Sequence, residues 1–398
     1  MYKKAIGSIL MILGTSVGAG MLALPIVTAH LSFSISMCLL FFAWLLMTIG
    51  AFSVLEVNLW LPSTTNMITM ADRTIGRWGK ALTWVVYLLL LYSLICAYLS
   101  GLGDIIQSLL ANVKLDIPRW SSTLFGLLLF GVIVYRGIGS VDIVNRGLMS
   151  IKFIAYLLLV ILFAKHIHIN FVFEGDYQWQ NSALMVMLTS FGYAIIVPSL
   201  RAYLHSDTKL LKRVIIIGSI IPLLIYALWI FAIQGIITKT GENGLITMLN
   251  SSQPNSMLMN QINEVVNTAW LSNIAKLFIS ISAITAFLGV SICLTDFIAD
   301  GLSIKKNGKS ALLVYGMTYI PPMIIVLMFP GIFIKALAYG GILCLILLVI
   351  IPLAMLYKGR YTYGFRNVTL VPFGKLFIVA CMIVSIGLVM ISFIAKNN

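Results

Sequence analysis

Apolar residues fall into runs of about 20 along the whole chain, with short polar stretches between them. A helix needs about that many residues to cross the hydrocarbon of a bilayer. The runs predict spans at Ile6–Ala29, Ser32–Leu59, Ala81–Leu110, Ser122–Tyr135, Gly147–Ala164, Ser182–Leu200, Val214–Ile237, Leu271–Ala299, Ala311–Phe329, Ile334–Tyr357 and Pro372–Ala395. That makes eleven. Between the second and third, Ser63–Lys80 mixes Met67, Ile68 and Met70 with Asp72, Arg73 and Arg77, and predicts a short helix lying at the interface. Asn250–Asn267 is a similar cap for the opposite face. The first run follows Met1-Tyr2-Lys3-Lys4 and reaches Ala29 with no small-x-small cleavage site, so it reads as a permanent span rather than a secretion signal.

Composition narrows the class. Of 398 residues, 61% are hydrophobic and only 10% charged, and the mean hydropathy is +1.05. Such a chain cannot present a charged surface to water. It reads as an all-α integral membrane protein forming a single transmembrane domain. The net charge of +14 has a topological explanation: with the N-terminus in the cytoplasm, 18 of the 26 Lys and Arg residues lie inside, seven outside, and Lys152 within a span. The C-terminus is then periplasmic. No basic stripe with interleaved aromatics speaks for nucleic acid. The five cysteines all sit inside spans without a close pair and read as packing residues, while His166 and His168 read as interfacial rather than as metal ligands. Nothing matches a nucleophile elbow, a P-loop or a zinc-binding helix, so an enzyme, a metal site and a cofactor are not expected.

Two spans carry clustered helix-breaking residues. Thr15-Ser16-Val17-Gly18 leads through Ala19-Gly20 to Pro25, and Thr189-Ser190-Phe191-Gly192 leads through Tyr193 to Pro198. Freed backbone inside a membrane is tolerated where it faces protein or a wet cavity. The interruptions fall in spans one and six, five spans apart. Because five is odd, the two halves enter the membrane from opposite faces, which is the arithmetic of an inverted repeat with residues 6–166 and 182–357 as its halves and 372–395 as an extra helix. Half-helix N-termini at such breaks offer N–H groups to an anion, and half-helix C-termini offer carbonyls to a cation. An amino acid carries both charges. Gly14 with Gly18 also fits the small-xxx-small pattern of close helix packing, and either proline alone would only kink a helix.

The stretch Gly14-Thr15-Ser16-Val17-Gly18-Ala19-Gly20-Met21-Leu22-Ala23-Leu24-Pro25 resembles the opening signature of the bacterial aromatic amino acid permeases. Similar stretches are Ala97–Gly101, Thr189–Gly192 with Val197-Pro198-Ser199, Ile217-Gly218-Ser219 with Ile221-Pro222-Leu223, Phe287–Val290 with Asp296 and Ala299-Asp300, and Ala336-Leu337 with Tyr339. The resemblance covers almost the whole chain and is nearest to the tyrosine-specific members. It implies an inner-membrane permease of eleven spans with the LeuT-like five-plus-five fold of amino acid, polyamine and organocation transporters, importing an aromatic amino acid together with protons. One departure stands out. Where the family continues its span-six motif with an aromatic residue, His and Gly, this chain has Tyr193-Ala194-Ile195, and selectivity between tyrosine, tryptophan and phenylalanine is open there.

For the site, the backbone N–H groups of Gly18, Ala19 and Gly20 are expected to hold the substrate carboxylate. Carbonyls around Thr15 and Ser16, and from Ser190 to Gly192, would receive its ammonium, with Phe191, Tyr193, Tyr92 and Tyr98 around its side chain. Ionisable residues within spans are the coupling candidates. Lys152 lies six residues beyond Arg146, roughly 9 Å along a helix, so it either snorkels to the inner surface or is buried. If buried, it would resemble the span-five lysine of proton-coupled relatives, whose ammonium stands where others hold sodium, between spans one, five and eight. Glu56 and Asp296, near the inner ends of spans two and eight, read as gating or coupling residues or as salt-bridge partners of loop arginines. Asp104 is expected near the outer surface. Sodium coupling is the alternative, with Ser280, Ser282 and Thr285 as hydroxyl donors to the ion. The expected partners are a small amino acid and the bilayer, with no protein partner called for; a membrane sensor with a transporter-like fold is the non-transport reading.

Overall fold

The computed structural model describes all residues except 1, 64, 113, 116, 176–180, 267–268, 303, 305–307, 366–367, 373 and 395–398. Lys305, Lys306, Arg366 and Lys396 of the basic-residue count, and the Asn267 end of the second interfacial stretch, lie outside the described residues. Among the described residues every regular element is helical. In chain order these are α1 (Tyr2–Ser16), α2 (Ala19–Val27), α3 (Phe33–Leu59), α4 (Met67–Thr74), α5 (Arg77–Asn112), α6 (Arg119–Tyr135), α7 (Ile138–Phe163), α8 (Ile169–Phe173) and α9 (Asn181–Ser190). There follow α10 (Val197–Tyr203), α11 (Thr208–Ile236), α12 (Leu245–Asn250), α13 (Pro254–Val266), α14 (Ala269–Leu302), α15 (Gly308–Met328), α16 (Phe333–Leu345), α17 (Ile351–Tyr361) and α18 (Lys375–Ile394). Nine helical stretches among the described residues are long and apolar enough to cross a membrane, and α1 with α2 makes a tenth when taken as one bent span. α6 stands where the fourth span was expected but has only 17 residues.

The chain is thus a multi-pass membrane protein whose outer surface is apolar. Leu312, Ile320, Ile383 and Phe393, on α15 and α18, are exposed large hydrophobics that only lipid would cover favourably. The interfacial stretches become α4 and α13. α4 is capped by Asn66, whose Oδ1 accepts the Thr69 N–H at 2.9 Å, and it buries Met67, Met70, Ala71 and Thr74 against the bundle.

The first span is broken. α1 and α2 meet at 53° across Val17 and Gly18, because the Gly18 N–H turns back to the Ser16 carbonyl at 2.9 Å and leaves the helical register. All nine residues of α2 are buried, so this half-helix lies inside the bundle with no lipid face. Gly18 also permits a close approach: a Cβ there would sit 3.3 Å from Ala286 Cβ on α14.

Span six behaves differently from the expected second break. After α9 the chain tightens into a 3₁₀ segment, Gly192–Ile196, and resumes as α10 with Pro198 in its first turn, where its missing N–H costs nothing. Asn181–Tyr203 remains one span. The interruption is an over-wound turn rather than an unwound gap. Span ten contains the opposite distortion, a π segment at Ile346–Ile350 ahead of Pro352, which has no N–H to give in an α-helical register. Gly50 on α3 lies against it, and a Cβ at Gly50 would fall 2.1 Å from Leu348 O.

Candidate functional site

The break in span one exposes two consecutive carbonyls, and two other helices take them. Lys152, on α7 and 1% exposed, donates from Nζ to the Val17 carbonyl at 2.5 Å and to Thr285 Oγ1 on α14 at 3.3 Å. It is buried, not snorkelled. Its ammonium stands beside the C-terminal end of α1, where the helix dipole is negative and favours a cation. Both hydrogen bonds go to neutral oxygens, so the charge is stabilised by dipoles alone.

The second carbonyl goes to a residue that the sequence did not single out. Tyr226 on α11 is fully buried, and its hydroxyl lies 2.6 Å from Ser16 O and 2.9 Å from Ser190 O. Ser16 is the last residue of α1 and Ser190 the last of α9, so the C-terminal ends of two half-helices converge on one oxygen. The two interrupted segments also touch directly: a Cβ at Gly20 would lie 3.0 Å from Ser190 Oγ. Phe191 is fully buried and meets the Tyr226 ring edge-on, with centroids 5.2 Å apart. Tyr98 is buried on α5. One signal could have marked Tyr226 in advance. It sits three residues beyond the matching stretch Ile221-Pro222-Leu223, as a hydroxyl-bearing residue in the middle of an apolar run.

Several expected site residues lie elsewhere. Thr15 is exposed, because α1 continues through Ser16 and turns Thr15 to its outer face, where its hydroxyl bonds back to Ile12 O at 2.9 Å. The Gly18 N–H is committed to Ser16 O, which leaves Ala19 and Gly20 as the first-turn amides of α2. Tyr193 is buried, but its hydroxyl pairs with Thr48 Oγ1 on α3 at 2.9 Å, so its phenol is engaged with α3. Tyr92 lies six residues before Tyr98, about 120° around the helix, and its hydroxyl donates to Met317 O on α15 at 2.6 Å. Gly192 faces Cys344, whose Sγ would be 3.5 Å from an added Cβ.

The carboxylates are also remote from Lys152. Glu56 is fully buried at the far end of α3, where it accepts from Arg360 Nε at 2.6 Å, Arg360 Nη2 at 2.7 Å, Leu370 N–H at 2.7 Å and Val371 N–H at 3.0 Å. Four donors on one carboxylate make a structural clamp between α3, α17 and the segment leading to α18. Its arginine comes from the last turn of a helix rather than from a loop. Asp296 is eleven residues beyond Thr285 on α14, roughly 16 Å along the helix. Asp104 is fully buried in the protein and paired with Arg119 Nη2 at 2.6 Å, at the start of α6. Ser16 Oγ and Ser282 Oγ, beside the break and on α14, are buried without a hydrogen-bond partner among the described residues.

Comparison with known proteins accounts for a chain built this way. The model of the tryptophan/tyrosine permease family matches residues 1–392. Tyrosine-specific transport system 1 of Haemophilus influenzae is 31% identical over 365 residues, covering 91% of this chain and 90% of the relative. Tyrosine-specific transport system 2 of the same organism is 27% identical over 401 residues, covering 99% and 97%. Its tryptophan-specific transport protein is 29% identical over 409 residues, covering 96% of each. A family match that runs over residues 1–392, with transport proteins as relatives along nearly the whole chain, makes this multi-pass helical protein a permease rather than an enzyme, and it belongs to the tryptophan/tyrosine permease family.

Proposed function

We propose that this permease imports an aromatic amino acid, L-tyrosine first, across the bacterial inner membrane by proton symport with alternating access. The observation that carries the reading is the buried Lys152 ammonium bonded to the carbonyl of the broken first span. A protonated Lys152 ties α7 and α14 to the break; loss of its proton removes the charge that holds Val17 O and lets α1 and α2 shift against those helices. Sodium is the weaker coupling ion, because the Thr285 hydroxyl that it would need is already occupied by Lys152.

In this reading the Ala19 and Gly20 amides at the start of α2 receive the substrate carboxylate. The carbonyls of Ser16 and Ser190 receive its ammonium, and Phe191 and Tyr98 lie along its aromatic side chain. The preference for tyrosine rests on two of the relatives, which are named for tyrosine. The topology is the eleven-span arrangement, with α6 as the short fourth crossing, the N-terminus cytoplasmic and the C-terminus periplasmic. Spans one to five and six to ten form an inverted repeat whose two interruptions meet at Gly20 and Ser190.

The experiment is uptake by the purified chain in proteoliposomes, with tyrosine, tryptophan and phenylalanine offered separately under an imposed proton or sodium gradient. Saturable tyrosine uptake driven by the proton gradient and abolished by a protonophore is expected. Uptake driven by sodium alone would overturn the coupling assignment, and uptake of none of the three would overturn the substrate class.

A further inference from the structure

We propose that Tyr226 is the gatekeeper of the ammonium subsite: its hydroxyl bridges Ser16 O and Ser190 O and yields both carbonyls to the substrate's ammonium. The inference rests on the amino acid reading above and adds to it the residue that must move.

The geometry is a mismatch between the occupant and its surroundings. Two helix C-termini aim their carbonyls at one point, 2.6 and 2.9 Å from the tyrosine oxygen. The negative ends of two helix dipoles favour a positive charge there. A phenol hydroxyl is neutral and has a single hydrogen, so it cannot satisfy both carbonyls fully at once. An ammonium has three hydrogens and forms charge-assisted bonds roughly twice as strong as neutral ones. The site therefore suits the substrate's cation better than it suits a phenol hydroxyl.

The surroundings also supply a means of leaving. Pro222 stands one turn before Tyr226 within α11 and has no N–H for the Gly218 carbonyl, which weakens the helix at that turn. Withdrawal of the Tyr226 ring displaces Phe191, whose ring it meets edge-on. Phe191 opens the 3₁₀ segment of span six, so the exchange at the carbonyls is transmitted to that segment. Ser16 O is also the neighbour of Val17 O, the carbonyl held by Lys152. Occupancy of the ammonium subsite and occupancy of the lysine site thus act on adjacent peptide units of one break.

The test is equilibrium binding of L-tyrosine, L-tryptophan and L-phenylalanine to the full-length chain in detergent or nanodiscs, comparing wild type with Tyr226→Phe. Removing a competing hydroxyl is expected to lower Kd about fivefold, the factor corresponding to about 1 kcal/mol for one hydrogen bond. The desamino analogue 3-(4-hydroxyphenyl)propionate has no ammonium to gain from the vacated carbonyls, and its affinity should not rise. Equal or weaker amino acid binding by Tyr226→Phe would overturn the gatekeeper role, as would equal tightening for the desamino compound. Wild-type protein that binds none of the three amino acids would instead overturn the underlying reading. A structure of the wild type with bound amino acid is decisive without any variant: the hydroxyl should have left at least one carbonyl, and a hydroxyl still bridging both refutes the proposal.

Discussion

Replacing Lys152 by methionine separates stability from coupling, because the two respond in different directions. Methionine keeps an unbranched apolar stem of similar length in the slot between the break, α7 and α14, and removes only the charge. Burying an ammonium costs several kcal/mol even after the surroundings relax. Against that cost stand the charge-assisted bond to Val17 O, worth about 1.5–3 kcal/mol, and the longer contact with Thr285 Oγ1, worth about 1 kcal/mol or less. The substitution removes the cost and forfeits both bonds, so the net change in stability should lie within about 2 kcal/mol of zero. Thermal unfolding in detergent should shift little. Transport has no such compensation. With one coupled proton, a pH difference of about one unit contributes about 1.4 kcal/mol and supports roughly tenfold accumulation. In proteoliposomes with the interior more alkaline by that amount, wild type should concentrate tyrosine about tenfold and Lys152→Met should stop at equal concentrations, while still exchanging substrate across the membrane. A variant that concentrates tyrosine tenfold, with the gain abolished by a protonophore, would refute the coupling role of Lys152.

Three further outcomes follow from the geometry. Glu56→Gln should destabilise the protein by about 3–5 kcal/mol, because it leaves a buried guanidinium without its charge partner; the double change Glu56→Leu with Arg360→Met should recover much of that loss in a denaturation assay, and a fully stable Glu56→Gln would argue against the clamp. Gly20→Leu should abolish amino acid binding in protein that still reaches the membrane, since its side chain must enter space already within 3.0 Å of Ser190 Oγ; unaltered Kd would remove Gly20 from the site. Tyr193→Phe should cost about 1 kcal/mol of stability through loss of the Thr48 bond and leave the ranking of tyrosine, tryptophan and phenylalanine unchanged. A reordered ranking in competition binding would return Tyr193 to the substrate pocket.

The class of protein and the first break were legible in the chain because both depend on local composition. Runs of apolar residues define spans wherever they pack, and Gly18-Ala19-Gly20 after Thr15-Ser16 marks a helix end by its own backbone preferences. The second interruption was only half legible. Ser190 and Gly192 disrupt the α-helix, but whether the chain unwinds or tightens is decided by packing around Phe191 and Tyr193, which are buried by distant helices. Tyr92 illustrates a readable error: its spacing from Tyr98 alone turns it to another face of α5, toward α15. Tyr226 could not be read in the same way. A tyrosine in an apolar helix looks like ordinary packing until the terminal carbonyls of α1 and α9, far away in sequence, are brought to it. The partner of Glu56 was likewise hidden, since a buried carboxylate announces that it needs a cation but not which one.

The four-donor clamp on Glu56 has a consequence for the order in which the molecule is completed. Its arginine lies 304 residues downstream, and its two backbone donors 314 and 315 residues downstream. At a synthesis rate of about 5–20 residues per second, Glu56 emerges roughly 15–60 s before any of these groups exists. During that interval α3 carries a carboxylate whose burial would be strongly unfavourable. Its end is better left at the water interface until α17 and the Leu370–Val371 segment beyond it arrive. The closing event of biogenesis is then electrostatic, and a chain cut short after α17 would leave it unfinished.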